Sequence, residues 1–86
     1  MHSMQPDWKE TESAITRHYT FANFSEALAF MVRVGLIAEK QNHHPEMRNV
    51  YNQVWLKLYT HSDGNVVTEK DRKLARAIDG LGVEGV

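Results

Sequence analysis

The chain has no cysteine, which removes disulfides, thiolate ligands and thiol nucleophiles at once. It has no apolar run near the ~20 residues that a membrane helix needs. Its first residues, Met1-His2-Ser3-Met4, lack the apolar centre of a secretion signal. A basic excess is also missing. With 10 Lys and Arg against 11 Asp and Glu, the net charge is −1, which argues against direct binding to nucleic acid. There is no glycine-rich phosphate loop, nucleophile elbow, dinucleotide fingerprint or His-Glu-x-x-His pair. Repeats, linkers and low-complexity segments are absent too. What remains is an ordinary globular mix, 42% apolar and 24% charged over 86 residues. That length builds one domain, 1–86, with one modest core and with 1–7 and 82–86 expected to be loose. A cysteine-free chain without a span or a signal is expected in the cytoplasm. A core this small gains from oligomerisation.

Taken in order, the pattern predicts strand, strand, helix, a divided strand and helix. Trp8 to Glu12 is charged enough for an edge strand. Ala14 to Phe21 alternates, with Ile15, Tyr19 and Phe21 on one side and Thr16, His18 and Thr20 on the other; Arg17 interrupts the apolar side. Glu12-Ser13 is the turn between them. Asn23-x-x-Glu26 reads as a capping box, with Ser25 as an alternative cap. Ala27, Phe30, Met31, Val34, Ile37 and Ala38 then recur at helical spacing, with Leu28 beside them. Gly35, costly in a helix interior, suits a close approach by another backbone, such as a second subunit. Pro45 stops the helix and pushes His44 out of helical geometry.

From Val50 to His61 the period is two. Val54, Leu56 and Leu58 face one way, and Trp55, Lys57, Tyr59 and His61 the other. Asn52 divides this run. Ser62-Asp63-Gly64-Asn65 is a turn. Thr68 caps a second helix, with Asp71 three residues on and Leu74, Ala75, Ile78 and Leu81 as its stripe. The simplest arrangement is α+β: an antiparallel four-stranded sheet with two helices packed on one face, in the order β-β-α-β-β-α.

The chemistry-bearing residues are histidines. Singly, each has an ordinary explanation. His18 sits on a polar strand side, His43 is a cation favoured at a helix C-terminus, His44 precedes a proline, and His61 ends a strand. Together they matter more. A helix end and a strand end meet at one rim of such a fold, which gathers His43, His44 and His61. Imidazole gives and takes protons near neutrality. Glu39, four residues before His43, lies on its helical face and can orient it. Asp71 lies near the same rim, although the cap of its own helix accounts for it. Metal-free acid–base catalysis and a three-histidine zinc site both fit this cluster. Adjacent histidines that diverge disfavour the metal.

The set Glu39-Lys40-x-x-His43-His44-Pro45, Asn49-Val50-Tyr51-Asn52 and Thr60-His61 resembles the pterin-4a-carbinolamine dehydratase family. That family is also known as the dimerisation cofactor of a homeodomain transcription factor. The resemblance runs from about Trp8 to Ile78. It implies dehydration of 4a-hydroxytetrahydropterins to the quinonoid dihydropterin, in recycling the pterin cofactor of aromatic amino-acid hydroxylases. It implies neither metal nor bound cofactor. By position it makes His43 the principal acid–base group, His61 the second on the opposite side of the pterin ring, and His44 a positioning group beside Pro45. Asn42, Tyr59, Thr60 and Ser62 would line the pterin, with Glu39 and Asp71 in support.

Two departures stand out. Met47 replaces an aromatic residue common in the family, and the helix that usually precedes the first strand is expected to be missing or reduced. The resemblance further implies a homodimer or homotetramer through sheet edges or the long helix. The alternative function is a protein-binding partner, as coactivator or assembly factor, using that helix. A metal-dependent hydrolase ranks last.

Overall fold

A computed structural model describes residues 8–83. Of the expected loose ends 1–7 and 82–86, residues 1–7 and 84–86 lie outside the described residues, as does the stretch where the helix before the first strand was expected to be missing or reduced. Among the described residues, four strands and two helices follow in the expected order: β1 (Lys9–Glu10), β2 (Ile15–Thr20), α1 (Phe24–Gln41), β3 (Glu46–Val50), β4 (Gln53–Leu58) and α2 (Glu69–Asp79), with a 3₁₀ turn, His61–Asp63, before α2. The sheet is antiparallel in the order β1-β2-β4-β3. It belongs to the α+β class, with both helices contributing to one core. Ile15, Tyr19, Val54, Leu56 and Leu58 from the sheet meet Ala27, Phe30, Val34 and Ala38 from α1 and Leu74, Ala75 and Ile78 from α2. Truncating a fully buried member such as Leu58 to alanine costs about 2–5 kcal/mol.

The strand bounds differ from the pattern for physical reasons. Only Lys9 and Glu10 of Trp8–Glu12 pair with β2, because Trp8 turns inward and its Nε1 donates to Asp79 Oδ1 at 2.9 Å. The third strand begins at Glu46, well before Val50. Its residues are mostly exposed at a sheet edge, so no apolar alternation marks them. Asn52 lies in the hairpin turn, and Tyr51 takes a left-handed backbone, φ 51°. His61 does not end a strand; it opens the 3₁₀ turn.

Arg17 is the other departure from pattern. It sits on the core side of β2 at 8% exposure. Its Nη1 is 3.0 Å from Asp79 Oδ1, and its guanidinium lies over the rings of Tyr19 and Trp8. A planar, weakly hydrated cation tolerates burial where a carboxylate and aromatic faces meet it. Leu28, read beside the helical stripe, is instead exposed, in line with Phe24, Val32 and Leu36. Four residues apart, these form one apolar ridge along the outer side of α1. Apart from its own stretch of helix, no described part of the chain comes within 4 Å of where a Cβ on Gly35 would stand, so no other element of this chain makes a close approach there. At the C-terminal end, Leu81 and Val83 are half-buried against the core.

Candidate active site

The end of α1 is what aims the histidines. Asn42 takes the left-handed conformation, φ 54° and ψ 41°. Its N–H donates to Glu39 O and the N–H of His43 reaches back to Ala38 O, each at 3.1 Å. This pair of bonds is the Schellman closure, which satisfies the last helical carbonyls and folds the chain back. Asparagine is among the few side chains that enter this backbone region readily. The reversal turns His43 towards α2. There its Nε2 lies 2.5 Å from Asp71 Oδ1. The side chains are 12% and 0% exposed.

Asp71 serves two purposes that the sequence had set against each other. It closes the capping box of α2, its Oδ2 accepting from Thr68 N at 2.9 Å. The same oxygen accepts from Thr60 Oγ1 at 2.8 Å. Oδ1 is left for the imidazole. A carboxylate only accepts, so His43 carries its proton on Nε2, and Nδ1 keeps its lone pair. That geometry holds the ring in one tautomer and leaves Nδ1 chemically able to accept a proton.

Glu39 supports a different ring from the one expected. Four residues before His43, it would share a face with it only if the helix continued. The helix stops at Gln41, and Glu39 Oε1 instead meets His44 Nε2 at 2.9 Å, with both side chains in solvent. His61 is exposed on the 3₁₀ turn, its Nδ1 2.9 Å from Asn65 Oδ1. With that amide oxygen accepting, His61 Nε2 is the nitrogen without a proton. Asn65, in left-handed conformation at φ 61°, was legible only as a turn residue. Its place four residues after His61 was the one signal for the contact.

The expected pterin-lining residues are spread over different surroundings. Asn42 and Ser62 are exposed near His43 and His61 in the chain, and Pro45 is half-buried. Thr60 is buried, with its hydroxyl turned to Asp71 and Thr68. Tyr59 lies beneath the Lys57 ammonium, 5.6 Å from its ring centre. Lys57 belongs to the sheet side opposite the helices, by its pairing with Thr16 and Glu46. Met47, by contrast, pairs with buried Leu56, so it faces the helix side of the edge strand at 40% exposure. It stands two residues past Pro45.

A separate hollow of about 700 Å³ opens on the helix-free side, around Lys9, Thr16, His18, Arg48, Trp55 and Lys57. None of His43, His44 or His61 lines it. There Trp55 stacks on His18 at 4.7 Å and lies under the Arg48 guanidinium at 4.4 Å. Trp55, on the strand side away from Val54, Leu56 and Leu58, is half-buried by this stack. Among the described residues no three His, Cys, Asp or Glu side chains are grouped as a metal ion would need. No helix among them is long and apolar enough to cross a membrane.

Comparison with known proteins points the same way as the histidine set. The family model described as pterin 4 alpha carbinolamine dehydratase matches residues 1–81. A protein of Bradyrhizobium sp. (strain ORS 278), named "Putative pterin-4-alpha-carbinolamine dehydratase", is 53% identical over 76 residues, spanning 86% of this chain and 75% of its own. One of the same name from Nitrobacter winogradskyi is 50% identical over 78 residues, 88% of this chain and 76% of its own. A crystal structure titled transcriptional coactivator/pterin dehydratase, from Brucella melitensis, superposes with a TM-score of 0.80 at 45% identity, covering 88% of this chain and 82% of that one. A pterin dehydratase-like protein described as a RuBisCO assembly factor of the alpha-carboxysome shares the fold, TM-score 0.72, at 20% identity over 94% of this chain and 95% of that one.

Proposed function

Since the chain belongs to the pterin-4a-carbinolamine dehydratase family, we propose that it dehydrates 4a-hydroxytetrahydropterins to the quinonoid dihydropterin by histidine acid–base catalysis. The observation that carries this reading is the buried Asp71 carboxylate holding Nε2 of His43. The reaction is an elimination. A proton leaves a ring nitrogen, its electron pair forms the new C=N bond, the C4a–O bond breaks, and the departing hydroxyl takes a proton to leave as water. His43 Nδ1 takes the first proton, and Asp71 stabilises the imidazolium that results. His61, in its protonated form, delivers the second from Nε2. His44 and Asn42 position the pterin, Pro45 fixes the bend, Tyr59 and Ser62 border the site, and Met47 covers the ring with a polarisable thioether. The two proton transfers and the bond changes balance without a metal or a bound cofactor.

The test is the ultraviolet change of a freshly generated 4a-hydroxytetrahydropterin, with and without protein, after chelator treatment. Acceleration that survives the chelator and is lost in His43→Ala supports the reading. Folded protein that does not accelerate the loss of substrate refutes it.

The apolar ridge of Phe24, Leu28, Val32 and Leu36 supports a protein contact along α1. The exposed Met47, Val50 and Tyr51 offer a second surface at the open edge of β3. We therefore propose a homodimer or homotetramer in the cytoplasm. Light scattering that returns the monomer mass at working concentration contradicts the oligomer. The same ridge favours a second reading, that the protein also binds a partner as a coactivator. A stable complex whose formation is blocked by Leu36→Glu would support it.

A further inference from the structure

We propose that Thr60 and Thr68 are positioning residues for His43, acting through Asp71 rather than on the substrate. Their catalytic consequence rests on the dehydratase reading; their effect on the imidazole does not. The Thr60 hydroxyl is buried in a residue 2% exposed and has two oxygen neighbours, Thr68 Oγ1 at 2.6 Å and Asp71 Oδ2 at 2.8 Å. A hydroxyl has one proton, and a carboxylate has none to give. Thr60 therefore donates to Asp71, and the proton in the shorter contact belongs to Thr68. Thr68 Oγ1 in turn accepts from Lys70 N at 3.3 Å. The direction of every bond is thus set: Lys70 N–H to Thr68, Thr68 O–H to Thr60, Thr60 O–H to Asp71.

Oδ2 receives a second donor from Thr68 N at 2.9 Å. With Oδ2 pinned twice, the carboxylate cannot turn without breaking buried bonds, and Oδ1 stays aimed at His43. The main chain of Thr60 does related work for the other histidine. Its N–H donates to Val66 O at 2.8 Å, and its carbonyl accepts from Asn65 N at 3.1 Å and Asp63 N at 3.3 Å. One residue thereby holds the turn that carries His61 and, through Asp71, the ring of His43. A buried hydroxyl whose proton goes to Asp71 and whose oxygen accepts from Thr68 has nothing left to offer a pterin.

The experiment is ¹⁵N NMR of the His43 imidazole in wild type, Thr60→Val and Thr60→Ser, with dehydration kinetics on the same three proteins. Wild type and Thr60→Ser are expected to hold a single Nε2–H tautomer. Thr60→Val should show a substantial Nδ1–H fraction, and a kcat about tenfold lower at nearly unchanged KM. An unchanged tautomer in Thr60→Val overturns the proposal. So does an unchanged kcat, with or without a raised KM, in a protein whose wild type turns over. If Thr60→Val does not fold, the wild-type Thr60 hydroxyl proton decides: slow exchange with a cross-peak to Thr68 is expected, and fast exchange overturns the proposal. Absence of turnover in wild type would sink the dehydratase reading alone, leaving the tautomer result to stand or fall separately.

Discussion

His43 and His44 are adjacent, and each meets a carboxylate. The His43–Asp71 side chains are 12% and 0% exposed at 2.5 Å, whereas those of His44 and Glu39 are 55% and 80% exposed at 2.9 Å. In the first pair water is largely excluded, the carboxylate has three donors, and one tautomer is imposed. In the second, water competes with both partners, and such pairs contribute about 0–1 kcal/mol. By contact alone, both pairs would count as hydrogen-bonded His–carboxylate pairs. Burial and the network behind the carboxylate separate a fixed ring, the proposed proton acceptor, from a solvent-exposed one, proposed to position the substrate. The cause of the difference is one left-handed residue, Asn42, which turns His43 inward and leaves His44 on the outside of the bend.

The comparison breaks most severely at His43 itself. His43→Ala should lower kcat by about 10²–10⁴, the usual worth of a positioned acid–base group, with secondary structure unchanged by circular dichroism. If His44→Ala causes the greater loss of kcat, the two roles have been exchanged. Next in size is a stability effect. Asp71→Ala strips acceptors from Thr60, Thr68 N and His43 together. It should destabilise the fold by about 3 kcal/mol in urea unfolding, whereas Glu39→Ala should stay within about 0.5 kcal/mol. Equal effects would mean that burial does not distinguish the pairs.

Asn42→Val is a smaller perturbation that tests how the difference arises. A β-branched residue at φ 54° costs about 1–2 kcal/mol, and any relaxation of the turn moves His43 off Asp71. Asn42→Gly should retain the closure and the His43–Asp71 contact, so that any loss of activity reports the part the Asn42 amide plays in positioning the pterin. The smallest effect is expected far from the site. The Glu69 carboxyl is held below its ordinary range, chiefly by its hydrogen bond from Arg76, with burial opposing and Arg72 assisting. A lowered carboxylate contributes stability above its unfolded value and loses it as pH falls through the folded one. Glu69→Gln should therefore match wild type in acid, where both lack the charge. At neutral pH it should melt only marginally lower, since Glu69 and its partners are exposed. A large difference at any pH would contradict the account of surface pairs used for His44 and Glu39.

Much of this was legible in the sequence because the signals were periodic. The spacing from Ala27 to Ala38 marked α1, the alternation of Val54, Leu56 and Leu58 marked β4, and Thr68 with Asp71 marked the start of α2. The histidines were picked out in the sequence, but not their separate partners, Asp71 for His43, Glu39 for His44 and Asn65 for His61. Three things were not legible. The edge strand at Glu46–Val50 packs little into the core and so leaves no alternation. Arg17 looked like an error in a strand because sequence does not show that Asp79, 62 residues on, supplies its partner. The partner of His43 was misassigned to Glu39 because helical spacing was extended past the residue where the helix ends. Helical periodicity informs only within the helix. Beyond Asn42 the contacts are set by tertiary packing, and Asp71, 28 residues away, replaced the local candidate.

The most direct test of the central claim is dehydration kinetics of Asp71→Asn beside Glu39→Gln, each removing one carboxylate charge with little change of shape. The account predicts that Asp71→Asn lowers kcat by about 100-fold or more while Glu39→Gln stays within about threefold of wild type. Comparable losses in the two, or a larger loss in Glu39→Gln, would contradict the claim that the buried His43–Asp71 pair performs the acid–base chemistry.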